Sequence, residues 1–199
     1  MKQFIYFLLI TLSLIGFGCA RKTAPIVGVE ESQTGQVEIN IEQILYEAKR
    51  DGLIMNDAEI LAMASANVLQ ESIGKNVAAV NQYLKNDFKG WNSAALADVT
   101  AGGSFGLAFS KFEKGSFTFV AQIGNLPELA EGSRYEGWIV ERGDSMKVMS
   151  VGEAKKNEDE FIIVYRAPKD LTVYNFFVLT LESDENPLPD KHILEGMIK

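Results

Sequence analysis

The sequence predicts a mainly β fold, an antiparallel sandwich of about eight strands behind a short α-helical module, and three observations predict it. Beyond Trp91 apolar residues recur at every second position, the period of a strand with one buried face. Turn-forming residues punctuate that region every eight to twelve positions, as they do in all-β domains. Between Asn40 and Asp87 the apolar spacing is helical instead. At 199 residues, with 47% hydrophobic and 23% charged content, the chain can bury a full-sized core and add a small module.

The helical module spans residues 39–90. Ile41, Ile44, Leu45 and Ala48 fall on one face between a capping Asn40 and a stopping Gly52. Asn56 and Glu59 stand in capping-box register ahead of Ile60, Leu61, Ala64 and Val68, a second helix ending near Gly74. Val77, Val80 and Leu84 suggest a third, ending by Asp87. Such faces are expected to pack on the following domain or on each other.

The β domain spans residues 94–199. Strands are expected over Ala94–Thr100, Ser104–Phe112 and Phe117–Ile123, with turns at Ala101-Gly102-Gly103 and Glu113–Gly115. Pro127 cannot donate to a ladder and ends the third. Tyr135, Trp138 and Val140 belong to the fourth, and Arg142-Gly143-Asp144-Ser145 turns the chain into Met146–Val151. Glu153–Glu160 is read as a solvated loop. Phe161–Arg166 and Leu171–Glu182 follow; the second is apolar on both faces and therefore central. Pro187 and Pro189 break the chain before His192–Ile198 closes the sheet. The expected result is an Ig-like β-sandwich, with Trp138 in its core.

Residues 1–18 have the layout of a secretory signal peptide: Lys2, the apolar run Phe4–Ile15, and a small-residue end at Gly16-Phe17-Gly18 before Cys19. That end resembles the lipobox of bacterial lipoproteins, with Gly16 standing where leucine is usual. The resemblance implies that Cys19 becomes a lipidated first residue. An uncut single-pass anchor is the alternative, the apolar run being near the lower limit of a spanning helix. Residues 19–38 mix Pro, Gly, Ser, Thr and charge without periodicity, as a flexible tether does. The expected location is the extracytoplasmic side of a membrane.

Two stretches carry a resemblance to a known family. Leu126, Pro127, Gly132, Tyr135 and Trp138, followed by Thr180, Glu182, Pro187, Pro189 and Gly196, resemble the paired motifs of the C-terminal, extracytoplasmic domain of the anti-sigma-K factor family. The resemblance covers roughly residues 94–199. Family regulators hold the sigma factor with an N-terminal cytoplasmic domain, whereas here only about three residues precede the apolar segment. Direct sigma-factor binding is therefore not expected.

Composition narrows the chemistry. The formal net charge is −8, and an acidic surface repels phosphate backbones, so nucleic acid is not an expected ligand. One cysteine and one histidine remove intramolecular disulfides, thiolate cages and most triad chemistry. No cofactor, metal or catalytic residue is expected. His192, beside Asp190, Lys191 and Glu195, reads as a plain surface or strand-edge histidine. Glu182, Asp184, Glu185 and Asp190 lack calcium-loop order and read as a solvated acidic loop, except that the resemblance gives Glu182 a fixed structural place. Gly102, Gly103 and Gly106 precede no helix that would receive a phosphate.

The expected function is that of a membrane-tethered, exported, non-enzymatic interaction or sensory module whose partner is an envelope protein or glycan. Two alternatives stand beside it. One is an envelope glycosidase using paired carboxylates among Glu136, Glu141 and Glu182; the other is a purely structural lipoprotein.

Overall fold

The computed structural model describes residues 39–66, 68, 74–76, 87–184 and 186–199. The expected signal peptide, tether, Cys19 and third helix lie outside the described residues.

Both asparagine caps act as the sequence predicts. Helix α1 (Ile41–Arg50) starts where Asn40 accepts the Gln43 amide at 3.1 Å. Helix α2 (Asp57–Ala64) carries the full capping box, Asn56 taking the amides of Ala58 and Glu59 while Glu59 takes that of Asn56. It stops at Ala64 rather than near Gly74, where the Ser65 hydroxyl turns back onto the carbonyls of Leu61 and Ala62. The face it buries also differs: Met63 is fully enclosed and Ile60 packs beside it, while Leu61 is 72% exposed. Among the described residues no helix is long and apolar enough to cross a membrane.

Among the described residues ten β elements follow: β1 (Lys75–Asn76), β2 (Asn92–Asp98), β3 (Phe105–Glu113), β4 (Ser116–Gly124), β5 (Arg134–Glu141), β6 (Lys147–Glu153), β7 (Lys155–Asn157), β8 (Glu160–Ala167), β9 (Phe176–Glu182) and β10 (Lys191–Met197). The eight expected strands are all present, as β2–β6 and β8–β10. The segment read as a solvated loop holds β7, because Lys155, Lys156 and Asn157 pair back onto Ile162, Phe161 and Glu160. Its charge reflects an exposed edge, not the lack of a ladder. The expected strand from Leu171 starts only at Phe176; Asp170 accepts the Thr172 amide and hydroxyl, and the Tyr174 amide returns to Leu171 O, so the intervening residues form a turn.

All ladders between strands are antiparallel and run β1-β8-β4-β3-β2-β10-β9-β5-β6, with β7 also on β8. Strand β9 is central, as its two apolar faces predict. The β3–β4 turn puts Lys114 at φ 51° and Gly115 at φ 75°, the left-handed pair that suits a two-residue hairpin. β6 lies along β8 and β1, so the sheet nearly closes on itself. One core fills the interior. Phe119 of β4 meets Phe177 of β9 with ring centroids 5.1 Å apart, and Tyr135 of β5 meets Phe161 of β8 edge-on at 5.4 Å.

Candidate functional site

A second apolar cluster lies on the opposite face of β5, β6 and β9, and it defines the site. Alternate strand residues share a face. With Tyr135, Ile139, Phe177 and Leu179 in the main core, Trp138, Val140, Val148, Phe176 and Val178 gather outside it, under Met55 and Met63. Trp138 is thus 3% exposed but not in the core where it was expected. It is buried because Met55 and Met63, just before and within α2, cover it, which a reading of strands alone could not contain.

Beside this apolar patch runs a polar row. Glu136 of β5 stands opposite Thr180 of β9, and Thr180 opposite His192 of β10. Trp138 Nε1 donates to Thr180 Oγ1 at 2.8 Å, and the Thr180 hydroxyl donates to Glu182 Oε1, which also takes the Asp190 amide at 3.1 Å. The two motif stretches therefore join side chain to side chain. Further motif residues support them: Tyr135 donates to Pro127 O at 3.0 Å, Leu126 packs on the core, and Pro189 is buried while Pro187 is exposed. At Gly196 a Cβ would stand 2.6 Å from Ala95 O, so the close approach of β2 requires glycine. Gly132 has φ +82°, a turn conformation side chains resist.

Glu182 is fully buried, and its Oε2 has no hydrogen-bond partner. Burial pushes its carboxyl above the usual carboxylate range; the bonds from Thr180 and the Asp190 amide oppose this, and the charges of Asp190 and Glu136 add to it. Glu136 is held by Ser150 Oγ at 2.5 Å and by Arg134 at 3.2 Å. The third candidate carboxylate, Glu141, pairs instead with Lys147 at 2.8 Å. The acidic loop is used internally: Asp190 takes the amide and hydroxyl of Ser183, and Asp184 the amide of Asn186.

His192 corrects the sequence reading. Its side chain is 7% exposed, not on the surface, and Nδ1 lies 2.6 Å from Glu195 Oε1. Residues three apart on a regular strand face opposite ways. Here His192 pairs with Thr180 while Leu194 pairs with Leu179, so Ile193 is an extra, bulged residue that brings His192 and Glu195 to one face. The other oxygen of Glu195 accepts the Met55 amide at 2.5 Å. A buried carboxylate of β10 therefore holds the link between the helices.

A second clamp comes from the turn between β5 and β6. Arg142 forks onto both carboxylate oxygens of Glu59 at 2.7–2.8 Å, donates to Gly52 O at 2.8 Å, and lies 4.6 Å over the Phe176 ring. Glu195 and Arg142 were not singled out as anchors; a carboxylate within the apolar run of residues 193–197 was the available signal.

Concavities among the described residues lie elsewhere. A groove of about 730 Å³ runs between α1 and a wall that includes Ile54, Asn56 and Val99, and a hollow of about 390 Å³ lies between Leu126–Leu129 and residues 153–156 with Phe161. Neither is lined by Glu136, Glu141 or Glu182. Among the described residues no three His, Cys, Asp or Glu side chains gather as a metal site. What this arrangement does chemically is bind the two motif stretches together and fix α2 and the link before it on the sheet. The chain matches no protein-family model, no curated protein and no solved structure.

Proposed function

We propose that the chain is an exported, membrane-tethered, non-enzymatic module of the cell envelope, carrying an Ig-like sandwich akin to the outer domain of anti-sigma-K regulators. It binds an envelope protein or glycan, or senses its state. The observation that carries the reading is the bonded path Trp138–Thr180–Glu182, in which residues picked out by the family resemblance, some 40 positions apart, act as one unit. The glycosidase alternative draws its support from Glu182, whose raised carboxyl lies in the field of Glu136. Against it stand the full burial of Glu182 and the Ser150 and Arg134 bonds that occupy Glu136.

Mass spectrometry of the mature N-terminus, joined to fractionation of the producing cells, tests the location. Diacylglyceryl-modified Cys19 in the membrane fraction is the expected result, and an unprocessed chain in the cytosol overturns it. In-cell crosslinking tests the binding role, which fails if no envelope component is recovered above a control without crosslinker.

A further inference from the structure

The hollow between Leu126–Leu129 and residues 153–156 has two walls that one residue holds in place. Tyr135 donates its hydroxyl to Pro127 O at 3.0 Å, and its own carbonyl accepts the Ala154 amide at 2.9 Å. Leu126, Leu129 and Phe161 line the hollow and pack against the main core, so its floor is apolar. Its volume of about 390 Å³ lies at the small end of the roughly 300–1,000 Å³ that ligand pockets occupy.

Two opposite charges line this floor from facing walls. Lys156 stands opposite Phe161 in the β7–β8 ladder, and residues directly opposite share a face. Its side chain therefore leaves the sheet on the side where Phe161 meets the core. Glu128 belongs to the other wall. Among the described residues neither side chain makes an ion pair or a hydrogen bond, whereas Lys155 beside them is paired with Glu153. The groove along α1 differs on this point: its Lys49 and Arg50 are already paired, with Asp57 and Asp51.

We propose that the hollow binds a small zwitterion with an apolar side chain, an amino acid or a two-residue peptide. Its carboxylate sits on Lys156, its ammonium on Glu128 and its side chain on Leu126, Leu129 and Phe161. A purely anionic ligand would meet the like charge of Glu128, and a purely cationic one that of Lys156. An uncharged apolar ligand would use neither. The site goes beyond the envelope-partner reading and does not depend on it.

The test is calorimetric titration of the full chain in detergent micelles with L-leucine and with L-leucyl-L-leucine, each also offered with its amine acetylated or its carboxyl amidated. Saturable binding of a free probe is expected, weakened at least about tenfold by either cap. Binding of leucine assigns the source to free amino acids, and binding of the dipeptide alone assigns it to peptides. Lys156→Gln should abolish the preference for a free carboxyl and keep that for a free amine; Glu128→Gln should do the reverse. Both residues are exposed, so the variants should keep the parent's melting temperature, which separates a lost ligand contact from a lost fold. The proposal is overturned if neither free probe binds, if capped probes bind as well as free ones, or if both variants keep the parent's discrimination. None of these outcomes alters the recovery of an envelope component by crosslinking, so the two readings fail separately.

Discussion

Glu182→Gln separates the burial of a carboxyl from the burial of its charge. Oε1 has two donors, Thr180 Oγ1 and the Asp190 amide, and Oε2 has none. As a neutral acid the group leaves one buried polar atom unmatched, a cost of about 1–3 kcal/mol that glutamine largely shares. As an anion it costs more, and each unit by which its pKa rises is worth about 1.4 kcal/mol between the two protonation states. The folded value lies above the ordinary 4.5, so the folded state holds the proton more tightly than the unfolded chain. The stabilising contribution of that proton is complete below 4.5 and is lost as pH rises through the folded value. Urea denaturation of both proteins across the acid-to-alkaline range should give free energies within about 1 kcal/mol of each other at the acid end. Above the folded value the glutamine protein should be the more stable by at least about 1 kcal/mol. Asp98 acts in the other direction. Burial disfavours its charge, but the Thr100 hydroxyl and the amides of Ser104, Thr100 and Gly102 outweigh that and lower its pKa, so its contribution is lost as pH falls. It is common to both proteins and cancels in the difference. Parallel stability curves at all pH values would refute the assignment of a buried, proton-holding Glu182.

Trp138→Ala should destabilise by about 3–5 kcal/mol in the same assay, as a buried aromatic truncation; Trp138→Phe, which keeps the ring contact but removes the donor to Thr180, should cost about 1–3 kcal/mol. Arg142→Ala and Glu59→Ala should be non-additive by about 1–3 kcal/mol in a double-mutant cycle, and each should speed amide exchange in α2 before it does so in β9. Gly196→Ala should cost at least about 1–3 kcal/mol, because the atom its Cβ meets is the Ala95 carbonyl, which cannot rotate away.

The strands were legible because one rule governs them. Phe117, Phe119, Ala121 and Ile123 alternate since β4 has a buried face, and Phe176–Leu179 do not alternate since β9 is buried on both. Both helix starts were legible from the asparagine caps. The site was less so, for a geometric reason. The opposition of Glu136, Thr180 and His192 depends on register between strands distant in sequence, and the His192–Glu195 pair depends on one inserted residue at Ile193. Neither leaves a periodic trace. Strand β7 was hidden because three residues with two lysines look like a loop unless the hairpin partner Glu160–Ile162 is weighed with them. Trp138 was recognisably buried, but what buries it, Met55 and Met63, comes from a segment whose helical period says nothing of the sheet face it will cover.

The place of β10 in the sheet has a consequence for the order of events in synthesis. It sits between β2 and β9, and the residues flanking the ladder clasp again where Ser93 and Lys199 exchange backbone hydrogen bonds at 2.9 and 3.0 Å. The meander β2–β3–β4 and the pair β5–β6 can form as the chain emerges, but the ladder that unites them is supplied by the last strand. A chain delivered N-terminus first, from a ribosome or through a membrane channel, therefore stays open at its middle until residues 191–197 arrive. Closure then waits on contacts nearly a hundred residues apart in sequence, which makes the final step slow. During that interval the unpaired edges of β2 and β9 are open to a holding chaperone.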